Sequence, residues 1–160
     1  MRLSPIIATA LYATAVMGAD DQVVNQKFSG PYLAEVIRVI DGDTIKVKVA
    51  IWPTITVEVS ARVLGVDAPE IRRAGCEAEQ IAGQQAKAFV EARYMPGDKV
   101  HLENISDDPF SGRVVADVKR WRSDRWLPLS KELLDEELAQ KWDPSMAEVP
   151  WCLLLQSSSE

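Results

Sequence analysis

The sequence predicts an α+β, mainly β fold: a five-stranded OB-type barrel with two to three helices. Three observations predict it. Short runs rich in β-branched residues alternate apolar and polar positions between Leu33 and Val66. The period then changes to three and four residues between Glu77 and Tyr94. Two further alternating runs and a second helical segment follow, giving the order β-β-β-α-β-β-α. Five short strands with a helix after the third suit a small closed barrel, although a fold alone does not give function.

Each element has a local reason. Leu33–Ile40 is the first strand, and Asp41-Gly42-Asp43 is a turn. Thr44–Val49 alternates as a second strand, which Trp52-Pro53 breaks. A third run starts at Ile55 and continues through Arg62 to Val66; the short connections make a three-strand meander. Asp67-Ala68-Pro69 ends it. Ala78, Ala82, Ala86, Phe89, Val90 and Arg93 mark the predicted inner stripe of the first helix, which Met95-Pro96-Gly97 stops. Lys99–Ile105 and Val114–Val118 are the fourth and fifth strands. Leu129–Lys141 is the second helix, with Leu129, Leu133, Leu134 and Leu138 apolar.

The N-terminus has the layout of a secretory signal over residues 1–19: one Arg, an uncharged apolar run, then Gly18-Ala19. That run is too short to span a bilayer, which needs about 20 apolar residues. Residues 20–31 read as a linker, 32–155 as the domain and 156–160 as a flexible tail. Export allows a Cys76–Cys152 disulfide, and these are the two cysteines of the chain. Without export, two unrelated thiols are the simpler expectation.

Composition narrows the chemistry. The chain has 160 residues, 18 Lys+Arg against 24 Asp+Glu, and a net charge of −6. A negative protein is not held on nucleic acid by bulk attraction, so phosphate chemistry needs a few placed cations. One histidine excludes a multi-His zinc site, and His101 itself reads as a surface residue near the start of a strand. Acids crowd Asp41-Gly42-Asp43 and Asp67-Ala68-Pro69-Glu70, each at a strand end. Such acids can supply the oxygen ligands of a hard cation, although either segment alone is equally an ordinary turn. Arg62 and Arg113 lie in or beside strands, where an arginine is ordinarily a surface rung.

Taken in order, Val39–Ile45, Arg62–Glu70 and Gly112–Val118 resemble the staphylococcal nuclease (thermonuclease) family. The resemblance covers about Leu33 to Asp143. It extends to the exported bacterial branch through a Cys soon after Pro-Glu and the pair Trp151-Cys152. It implies a Ca2+-dependent phosphodiesterase cutting DNA and RNA, with products ending in 3′-phosphate. Asp43 and Asp67 fall on the two metal carboxylates and Ala68 on a carbonyl ligand. Glu70 falls on the carboxylate that works through water, and Arg62 and Arg113 on the phosphate-binding arginines. The sequence departs from the family before the second arginine, where Phe110 and Ser111 stand in place of a Tyr and a Lys. Trp142 is placed either to cover a base or to pack against the barrel. The expected protein is a monomer with no membrane association once processed. Two rival readings use the same residues: a non-catalytic nucleic-acid- or protein-binding module of this fold, and an exported Ca2+-binding structural protein. The second leaves both arginines without a role.

Overall fold

The computed structural model describes residues 27–108 and 112–157. The expected signal segment 1–19, most of the linker, Phe110 and Ser111 lie outside these residues.

The fold is mainly β. The first three strands form the expected meander: β1 (Tyr32–Asp41), β2 (Thr44–Trp52) and β3 (Ile55–Val63). After it come β4 (Val66–Asp67), helix α1 (Glu77–Glu91), β5 (Lys99–Asp107) and β6 (Arg113–Arg122). β7 (Arg125–Pro128), α2 (Leu129–Asp135), β8 (Gln140–Lys141) and α3 (Trp151–Ser157) complete the chain. The main sheet runs β3-β2-β1-β5-β6-β7. A parallel pairing of Ser60–Val63 with Arg113–Ala116 joins β3 to β6 and closes a ring of five strands. Inward residues such as Ile45, Val47, Ala61, Val63, Leu102 and Val118 fill it, together with Ala86 and Val90 of α1 and Leu129 and Leu133 of α2.

Four expectations are corrected. The third strand does not run unbroken to Val66. It turns at Leu64–Gly65, where Gly65 takes φ +81°, and resumes as the two-residue β4, which pairs with β8. α2 stops at Asp135 rather than Lys141: Glu137 takes φ +57°, which leaves the helical path, and Gln140 and Lys141 pair with β4 instead. The inner face of α1 is Glu79, Gly83, Ala86 and Val90, while Ala78 is exposed. His101 is not simply exposed but half-buried, its ring stacked on Trp126 at 3.4 Å. β7 and α3 have no counterpart in the strand and helix reading above.

Cys76 and Cys152 form a disulfide with Cα atoms 6.0 Å apart. Among the described residues, no helix is long and apolar enough to cross a membrane.

Candidate functional site

Strand alternation sets the first residues of the site. Ala61 and Val63 point into the core, so Arg62 points out of it. The register Thr44↔Arg62 puts the guanidinium beside the β1–β2 turn, and the Val63 N–H donates to the Asp43 carbonyl at 2.8 Å. Val66 is likewise a core residue, which turns Asp67 outward next to Arg62.

Arg62 then joins the two acids. Its Nη1 lies 3.0 Å from Asp43 Oδ2 and its Nη2 2.6 Å from Asp67 Oδ1. Asp43 is 4% exposed. It also accepts from the Thr44 hydroxyl at 2.8 Å and the Ala68 N–H at 3.2 Å. Burial pushes its carboxyl above the ordinary range, against the pull of Arg62 and these donors. Burial also opposes the charge on Arg62, but Asp43 and Asp67 outweigh it and hold the guanidinium protonated. Ala68 enters the site through its N–H, whereas the resemblance assigned it through its carbonyl.

Glu70 is half-buried on the wall of the same cleft. Burial raises its carboxyl pKa, while the nearby Arg73 works to lower it. Two close approaches hold this loop against α1. A Cβ on Gly83 would lie 2.6 Å from the Pro69 carbonyl oxygen and 2.9 Å from that of Glu70. One on Gly42 would lie 2.7 Å from the Ala86 Cβ and 3.0 Å from the Ala68 Cβ. Both contacts are closer than real carbon neighbours tolerate, so glycine is required at each position.

Arg113 stands on β6, paired in register with Ser60 on β3, so ring closure brings the second arginine beside the strand of the first. It forks onto the buried Asp108, Nε to Oδ2 at 3.2 Å and Nη2 to Oδ2 at 3.0 Å. Asp67, Glu70, Arg62 and Arg113 all line a cleft of about 670 Å³, with Trp142 on its wall. Asp43 lies beneath Arg62 and does not line it. Arg62 sits 5.7 Å from the centre of the Trp142 ring, and the Trp142 indole N–H donates to the Ala147 carbonyl at 3.2 Å.

The structure thus brings together Asp43, Arg62, Asp67 and Ala68 directly, and adds Glu70 and Arg113 on the walls of one cleft. Five contributors went unread in the sequence. Lys27 and Arg73 line the cleft as further cations. Asp108 anchors Arg113. Glu79 accepts the N–H groups of Glu70 (3.3 Å) and Gly75 (2.7 Å). Trp151 donates its indole N–H to Asp67 Oδ2 at 2.8 Å. A signal existed for Glu79, which stands three residues after Cys76 at the start of α1, where an acid commonly bonds loop N–H groups.

The donors are of the kind a hard cation takes: carboxylate oxygens. Asp43 Oδ1 and both Asp67 oxygens each carry one donor among the described residues, and a carboxylate oxygen has two lone pairs. That chemistry is compatible with such an ion, while Arg62 already pairs with both carboxylates. Asp43, Asp67 and Glu70 do not gather into one tight cluster. Among the described residues the group that does is Cys76, Glu79 and Cys152, within 4.8 Å, and its sulfurs are joined in the disulfide.

The sequence matches no known protein-family model and no curated protein.

Proposed function

We propose that this chain is a Ca2+-dependent, sugar-nonspecific nuclease of the thermonuclease type, exported and built on an OB-type barrel. It hydrolyses phosphodiester bonds of DNA and RNA and leaves 3′-phosphates. The observation that carries the reading is the Asp43–Arg62–Asp67 bridge, opening onto a cleft that Glu70 and Arg113 also line.

Hydrolysis at phosphorus builds negative charge on the phosphoryl oxygens. Arg62 and Arg113 each present a planar fork of N–H donors that matches two such oxygens. Glu70, ionised, orients a water for attack and accepts its proton, while the P–O5′ bond breaks and the departing 5′-oxygen takes a proton from solvent. Its half-buried setting favours that role, because a carboxylate with a raised pKa is a stronger base. Asp43 and Asp67 would hold Ca2+ with the Ala68 carbonyl, and the bound ion supplies Lewis-acid stabilisation of a phosphoryl oxygen. The cleft wall carries Asp67, Glu70, Asp107, Asp108, Asp143 and Glu148 against Lys27, Arg62, Arg73 and Arg113. With acids in excess, a polyanion needs added positive charge to enter, which supports metal dependence. No histidine takes part. The disulfide supports export, since such bonds persist in oxidising compartments.

One observation favours the non-catalytic alternative. Both arginines already face carboxylates, Arg62 two of them and Arg113 one. The deciding experiment is digestion of single-stranded DNA by residues 20–160, with Ca2+ and with a chelator, beside the Glu70→Gln protein. Ca2+-dependent cleavage that the variant lacks supports the enzyme. Folded wild-type protein that binds the DNA without cutting it supports the module.

A further inference from the structure

Asp67 stands on β4, a strand of two residues whose pairing partner β8 is equally short. So little backbone pairing does not by itself fix the direction of a carboxylate. Two donors from distant parts of the chain do so instead. Arg62 takes Oδ1 at 2.6 Å, and the Trp151 indole N–H takes Oδ2 at 2.8 Å.

Trp151 is 6% exposed and opens α3, a helix of seven residues whose Leu153 and Leu154 face solvent. Isolated helices shorter than about 12 residues are marginal in water, so α3 needs an anchor. The neighbouring residue provides it: Cys152 is bonded to Cys76, the residue that opens α1. Beside that bond lies Glu79, whose carboxylate holds the Glu70–Gly75 loop. The disulfide therefore ties α3 to the segment that carries Glu70, and α3 reaches over to Asp67.

We infer that Trp151 is a positioning residue for Asp67, and that the Cys76–Cys152 bond is the tether that holds it there. The inference rests on the reading of Asp67 as a Ca2+ ligand. Donors that orient a metal ligand from behind ordinarily account for 10- to 100-fold in affinity or activity, on the order of what is expected here.

The test is Trp151→Phe, which keeps an aromatic ring in the packed site and removes the N–H. Calorimetric Ca2+ affinity should fall about tenfold while the melting temperature stays near that of the wild type. A second variant, Cys76→Ser with Cys152→Ser, should lose both affinity and the slow hydrogen exchange of the Trp151 indole N–H, followed by NMR. Phenylalanine that binds Ca2+ as tightly as tryptophan overturns the positioning role. An indole N–H that stays protected without the disulfide overturns the tether. If the Phe variant unfolds, the serine pair decides alone: unchanged Ca2+ affinity overturns the proposal. Failure of the underlying reading looks different, because the wild-type protein itself would then bind no Ca2+ and cleave nothing, overturning both.

Discussion

Replacing Arg62 by Ala would leave the buried Asp43 carboxylate without its cation. Removing one partner of a buried pair costs about 3–5 kcal/mol, so Arg62→Ala should be strongly destabilised in urea unfolding, and a loss under about 1 kcal/mol would contradict the shared-cation geometry. Glu70 differs, because burial is the largest influence on it, ahead of Arg73 and the neighbouring acids, and it makes no ion pair among the described residues like that of Asp43. Glu70→Gln should fold as the wild type by circular dichroism and lose about 10²- to 10⁴-fold in kcat; retained turnover removes it from the chemistry. At this scale the sequence was legible where polar residues interrupt apolar strands. Arg62 and Asp67 stand out between Ala61, Val63 and Val66 for that reason. Trp151 stood out only as the neighbour of Cys152, and Asp108 not at all, since each acts by touching a residue whose position in space the sequence does not show.

The elements owe their placement to small residues as much as to apolar ones. Adding a Cβ at Gly83 drives it into two carbonyl oxygens of the Glu70 loop. Overpacking of this kind costs about 1–3 kcal/mol. Gly83→Ala should lower both the melting temperature and the activity, and an unchanged rate would show that α1 does not set the loop. Polar ties matter too. Tyr94, at the end of α1, donates to Glu132 of α2 at 3.0 Å, and Arg120 of β6 grips the same carboxylate. Burial and the Glu132 charge push the Tyr94 phenol well above its ordinary value near 10. The folded state keeps this proton where the unfolded chain releases it. Stability from the group is therefore present below about pH 10 and declines as pH rises above it. In Tyr94→Phe, melting temperature should fall less steeply above about pH 10; an identical slope would rule the phenol out. The long strands were legible because alternation persists over five or more residues. β7, β8 and α3 are too short for any period to emerge. The face of α1 was misread because Glu79 and Gly83 are buried for a hydrogen bond and a close contact, which hydropathy does not register.

Across the whole molecule, the disulfide closes a loop between residues 76 apart in sequence. The chain-entropy argument assigns such a loop about 4 kcal/mol. The double serine variant should lose up to that much in urea unfolding, and no change would mean that the bond acts on α3 alone. Five short strands with a helix after the third made a closed ring legible from the sequence, but not which strands close it, because no local pattern announces a parallel pair between distant strands. That pair has a consequence for timing. Ser60 faces Arg113 and Arg62 faces Val115 across it, partners more than fifty residues apart along the chain. Contacts of such separation are slow to form, since loop closure precedes any gain from pairing. The two arginines become neighbours only when this seam zips shut. A chain still emerging from the ribosome, or threaded extended through a membrane pore, has them far apart. On the proposed reading, the cleft that both arginines line is therefore assembled only after β6 has joined β3.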